Sequence, residues 1–167
     1  MIMSPSSRRV AGAARDLGLA IAVREFPEGT HTAEDAARAI GVDVGQIVKS
    51  LVFLVDGRPV LCLVSGLNRL DPKRLAIVTG ASQVRRAGAG AVERATGFAI
   101  GGIPPFGHKQ RLPVYCDRDL MAYDVVWAAA GTPREVFSVE PQQLAQACGA
   151  TVADLKASLP ESREEEA

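Results

Sequence analysis

Residues 47–55 read Ile-Val-Lys-Ser-Leu-Val-Phe-Leu-Val, an apolar run broken by one charge, Lys49. Asp56-Gly57 follows, and then a second apolar run over residues 59–65. Two strand-length apolar runs joined by Asp-Gly predict a β-hairpin with a tight turn. Both runs are apolar on both faces, which places the hairpin in a central sheet covered on each side.

Elsewhere the apolar positions recur at helical spacing. Val10, Ala13, Ala14 and Leu17 follow Ser4-Pro5, with serine as cap, proline in the first turn and Gly18 as stop. Thr32 with Asp35 approximates a capping box for a helix that Gly41 closes. Asp71-Pro72 opens a third helix over residues 73–78, a fourth runs over 89–95 before Gly97, and Pro141 starts a fifth ahead of Gly149. Short strands are expected at 21–26, 113–116, 125–130 and 136–139. Lys73-Arg74 and Arg85-Arg86 read as solvated helix faces. Helices mixed with strands and an early hairpin predict an α+β (mixed α/β) class. No long linker divides the chain, so one domain is expected over residues 1–160, with a solvated acidic tail over 161–167.

Charge narrows the partners. The 167 residues carry 19 basic and 19 acidic side chains, so there is no broad basic footprint for DNA or any long duplex. A nucleic acid can still be gripped locally, at one end. The N-terminal stretch fits neither a secretory signal nor a membrane span. Cys62, Cys116 and Cys148 are widely spaced with no C-x-x-C, which argues against a disulfide framework or zinc site and for a reducing, cytoplasmic compartment.

Familiar catalytic patterns are missing. Gly88-Ala89-Gly90 is not a dinucleotide fingerprint, because Glu93 stands where the third glycine belongs. No phosphate-binding P-loop, H-E-x-x-H helix or G-x-S-x-G elbow occurs, and His31 and His108 are the only histidines. Hydrolysis here needs a route without an obvious nucleophile, metal or cofactor.

Two features remain. A lysine on an apolar strand is costly to desolvate, so Lys49 calls for an anion or water nearby; an edge lysine that blocks aggregation is the competing explanation. The loop Gly101-Gly102-Ile103-Pro104-Pro105-Phe106-Gly107-His108 can turn backbone N–H groups toward an oxyanion, or serve as a rigid turn. Ser65 ends the second hairpin strand near Lys49, Gly131-Thr132-Pro133 is a further small-residue turn, and Thr30, His31 and Thr32 precede a helix start that favours anions.

These segments resemble the YbaK/ProX family of trans-editing aminoacyl-tRNA deacylases, to which the editing insertion of bacterial prolyl-tRNA synthetases is related. The likeness covers about residues 8–155. It is carried by residues 45–53 around Lys49, by Leu63-Val64-Ser65-Gly66, by residues 96–108 and by Ala130-Gly131-Thr132-Pro133. The resemblance implies a curved, nearly barrel-like mixed sheet surrounded by helices. It implies hydrolysis of the ester joining a small amino acid (Ala, Ser, Thr or Cys) to the terminal adenosine of a tRNA, commonly the tRNA for proline. Lys49 would hold the terminal phosphate or position the ester, and amides around Gly101 and Gly102 would hold the oxyanion. Water, helped by the substrate's ribose hydroxyl, would attack. Thr30, Ser65, Pro105, Phe106, Gly107, His108, Gly131 and Thr132 would bind substrate, and no metal or cofactor is expected. An aminoacyl-tRNA synthetase is a further partner in this picture. A non-catalytic nucleotide- or aminoacyl-binding module, and a hydrolase of other small esters or amides, stay open beside it.

Overall fold

The computed structural model describes residues 3–26 and 32–158. Thr30, His31 and the acidic tail lie outside the described residues. The order is α1 (Pro5–Asp16), β1 (Val23–Glu25), α2 (Ala33–Ile40), β2 (Val48–Val55), β3 (Arg58–Ser65), α3 (Pro72–Thr79), β4 (Val84–Arg86), α4 (Ala89–Thr96), β5 (Val114–Asp117), β6 (Val126–Thr132), β7 (Glu135–Val139), α5 (Pro141–Cys148) and β8 (Thr151–Ala153).

The hairpin β2–β3 forms as its sequence requires. It pairs in unbroken antiparallel register from Val48↔Ser65 to Val55↔Arg58. Asp56 (φ 48°) and Gly57 (φ 83°) take the left-handed conformations that a two-residue hairpin turn demands. The Asp56 carboxylate accepts from the backbone N–H groups of Ser82 and Gln83, tying the turn to β4.

The strands make two sheets, β4-β2-β3-β5-β8 and β1-β7-β6. Among the described residues no closed barrel forms; an isolated parallel bridge between Ile47 and Trp127 brings β6 alongside β2. Because side chains alternate along a strand, β2 feeds two cores. Val48 and Val52 join the main core with Leu61, Leu63, Phe98, Phe106, Ala128 and Phe137. Phe53 joins a second core with Val60, Cys62, Val64 and Leu75. A third, smaller cluster packs Ala36 and Ala37 of α2 on Ile47 and Trp127.

One expectation is corrected here. Arg85-Arg86 belong to β4, not to a helix, and Arg86 pairs with Phe53. The backbone groups of the β2 edge select an extended partner there, whatever the local helical appearance of the sequence.

Candidate functional site

β2 pairs with β3 along its whole length, but β4 covers its other edge only from Phe53 to Val55. On the same strand, β6 meets Ile47 through the bridge to Trp127. Between these two contacts the edge is open, and a cavity of about 270 Å³ lies against it. Its walls come from β2 (Lys49, Ser50), α2 (Ala36), β6 (Trp127, Ala129) and the glycine loop (Gly101). Arg86, Ile100, Ile103 and Val136 also line it.

Lys49 is half-buried and its ammonium donates to the carbonyl of Asn68. Burial holds its pKa below the usual lysine value; Glu34 and Asp117 pull it back up, while Arg86 and Arg69 push it down. An ammonium carries three N–H donors, and Asn68 uses one. Asn68 is itself anchored: its side-chain amide donates to Asp117 and to Asp119, each at 2.8 Å. Asp117 is buried and also accepts from the Ser65 N–H at 3.1 Å. A buried carboxylate thus fixes the turn that holds the lysine.

Ser50 is the neighbour that sequence reasoning missed. Its Oγ is buried and has no hydrogen-bond partner among the described residues. By strand alternation it leaves β2 on the side of Val48 and Val52, opposite Lys49. A buried hydroxyl without a partner is a cost that bound substrate can relieve.

The glycine loop is fixed from behind. Gly101 has φ +98° and lines the cavity. Gly102 does not line it; a Cβ there would stand 2.7 Å from the Thr132 Cα, so only glycine permits this approach. Nε2–H of His108 donates to the Pro104 carbonyl at 2.6 Å, closing the loop on itself. Burial lowers the pKa of His108, the Pro104 bond raises it, and Arg9 lowers it further, for a net fall. Phe98 meets His108 edge-on at 6.2 Å.

The remaining predicted site residues support the cavity without lining it. Phe106 is in the main core, with its ring 5.5 Å from that of Phe137, and Pro105 is also buried. Gly107 packs against Ala13 of α1. The Ser65 hydroxyl donates to the Gly45 carbonyl at 2.8 Å. Gly131 packs on Ser6, and the Thr132 hydroxyl donates to Glu135 at 3.0 Å.

Burial pushes the thiols of Cys62, Cys116 and Cys148 up to about 12, which leaves them protonated and poor nucleophiles. Among the described residues no cluster of metal-ligating side chains occurs, and no helix is long and apolar enough to cross a membrane. Among the described residues the cavity wall thus offers two cations, Lys49 and Arg86, and the Ser50 hydroxyl.

Comparison with known proteins gives this arrangement its class. Residues 27–147 match the model of the aminoacyl-tRNA editing domain. The chain belongs to that family, and so to the aminoacyl-tRNA deacylases. The uncharacterized protein YwhH of Bacillus subtilis (strain 168) is 33% identical over 125 residues, covering 74% of this chain and 79% of YwhH. EbsC of Enterococcus faecalis, provisionally named a Cys-tRNA(Pro)/Cys-tRNA(Cys) deacylase, is 28% identical over 71% of this chain and 73% of its own. A crystal structure described provisionally as a trans-editing enzyme for prolyl-tRNA synthetase superposes with a TM-score of 0.89 at 49% identity, over 94% of this chain and 100% of that one.

Proposed function

We propose that this protein acts in trans, in the cytoplasm, on tRNA carrying the wrong small amino acid, and that tRNA for proline is its principal substrate. The observation that carries the reading is that Lys49, Ser50 and Gly101 line one small cavity at an open strand edge. About 270 Å³ is just below the usual range for drug-sized ligands, roughly 300–1,000 Å³, and suits a small aminoacyl group such as Ala, Ser, Thr or Cys. The names of EbsC and of the trans-editing structure support cysteine and the proline tRNA in particular.

Water adds to the ester carbonyl carbon, and the ribose oxygen leaves with a proton. The products are the free amino acid and a tRNA with its terminal hydroxyls restored. The substrate's own ribose hydroxyl assists the water, since no cysteine here is ionised. Lys49 attracts the terminal phosphate or the ester oxygens. The backbone of the loop at Gly101 holds the developing oxyanion, a contribution of ~3 kcal/mol to the barrier for a typical donor; Gly102 shapes this loop, its own N–H being donated to the Ala99 carbonyl at 3.1 Å. A synthetase partner fits the same reading, because it would deliver the mischarged product.

A panel of mischarged tRNAs tests this directly. The expected result is release of a small amino acid at a rate well above spontaneous hydrolysis, with a salt dependence reporting fewer than ~5 phosphates. Saturable binding without turnover would overturn it in favour of a binding module. Equal activity on free aminoacyl esters would point to a general small-ester hydrolase.

A further inference from the structure

Arg24 is exposed on β1, yet its guanidinium is held. Its central carbon lies 5.2 Å from the ring centroid of Phe26 and 5.3 Å from that of Trp127. Among the described residues no carboxylate lies within ion-pair distance of it. Arg24 pairs with Val136 in the sheet, and Val136 and Trp127 both line the cavity. A cation with no ion pair among the described residues, stacked on Phe26 and on the cavity-lining Trp127, therefore stands on the sheet face that supplies part of the cavity wall.

The size of the cavity makes this matter. A space of about 270 Å³ takes an aminoacyl group and part of its nucleoside, so the rest of the RNA must run out over the rim. A guanidinium is a planar fork that matches phosphate oxygens. An aromatic ring is a sequence-tolerant platform for a single-stranded base. Arg24 is already ordered by the rings, so little side-chain freedom is lost when it binds.

We propose that Arg24 and Trp127, with Phe26, form a subsite for the nucleotide that precedes the terminal adenosine, its phosphodiester on Arg24 and its base against the aromatic face. This rests on the deacylase reading above and names which part of the RNA this rim recognises.

Trp127 is the only tryptophan in the chain and stands between the cavity and the rim, so its fluorescence reports ligand at either place and the comparison of two probes separates them. The probes are the uncharged RNA trinucleotide cytidylyl-cytidylyl-adenosine and AMP. The trinucleotide should quench Trp127 and bind more tightly than AMP. Arg24→Gln, at an exposed position, should keep the melting temperature and cut the trinucleotide's advantage over AMP about tenfold. The slope of log Kd against log salt should fall by ~0.7, the value for one phosphate contact on a single strand. On mischarged tRNA the same variant should raise KM while kcat holds. A trinucleotide no better than AMP, or an Arg24→Gln protein with unchanged affinity and slope, would overturn the subsite. Hydrolysis unaffected by Arg24→Gln would also remove it while leaving the deacylase reading in place. Trinucleotide binding lost in Arg24→Gln, in a protein that hydrolyses no mischarged tRNA, would keep the subsite and sink the deacylase reading.

Discussion

Gly102 lies flat against the backbone of Thr132, so close that a Cβ on Gly102 would meet the Thr132 Cα at 2.7 Å. The loop that carries Gly101 into the cavity wall is positioned by this contact with the β6–β7 turn. Gly102→Ala must push the two backbones apart. We expect a loss of ~2 kcal/mol in stability and at least a tenfold fall in kcat/KM. Gly101→Ala differs in cause: its nearest neighbour, Pro133 Cγ, is 3.8 Å away, but φ +98° strains any side chain. Thermal melts beside deacylation rates check both.

Lys49→Ala should lower kcat/KM by a factor of 100 or more without loss of fold. Burial lowers the lysine's pKa, so its cost to the folded state is present below the folded pKa and gone above 10.5. Removing the amine at neutral pH therefore should not reduce the melting temperature beyond the loss of the Asn68 bond. If catalysis needs the ammonium, wild-type kcat/KM falls as pH rises through a value below 10.5. Retained activity in Lys49→Ala would remove this residue from the mechanism.

Ser50→Ala trades stability against activity. The unpartnered Oγ is absent in the variant, so the free protein should gain up to ~1 kcal/mol. The same change should weaken substrate turnover, because a hydrogen bond made only to substrate is lost. A variant both less stable and fully active would contradict this account.

Asp117→Asn should destabilise by ~1.5–3 kcal/mol, because a buried carboxylate accepts from the Ser65 N–H and the Asn68 amide. Since Asn68 positions Lys49 through its carbonyl, activity should fall as well. Denaturant unfolding and single-turnover rates at one pH separate the two effects.

His108 supplies an acid-side dependence. Its folded pKa is lowered below 6.5, chiefly by burial, so the folded state favours the neutral ring. Stability is then fully present above 6.5 and declines as pH falls through the lower folded value. His108→Gln, which can still donate to Pro104, should flatten that limb. An unchanged pH profile would mean that His108 does not set it.

Much of the fold was legible because its signals are local. The Asp56-Gly57 turn, the Ser4 and Thr32 caps and the glycine stops each act within a few residues, and the five helices and the hairpin follow from them. β4 and β8 were not legible. Each is three residues long, too short for an alternating pattern, and each exists only because a longer strand offers an edge. The cavity divides the same way. Lys49 and Gly101 stand out by composition. Trp127 and Arg86 reach the cavity through pairings between distant segments, and nothing in their own neighbourhoods announces it. Phe106 lies in the glycine loop, yet its ring packs in the main core, where an aromatic ring in a small protein is worth most.

Helix α1 grips the β6–β7 turn at several points. Ser4 Oγ donates to Glu135 at 2.6 Å, Ser7 Oγ donates to the Ala130 carbonyl at 2.7 Å, and Gly131 rests on Ser6. That turn in turn backs Gly102. The matched editing-domain region begins only at residue 27, beyond this helix. A truncation at that boundary would keep every residue of the cavity wall and still remove the contacts that brace the turn behind its glycine loop, so the matched segment leaves out part of the scaffold on which that wall rests.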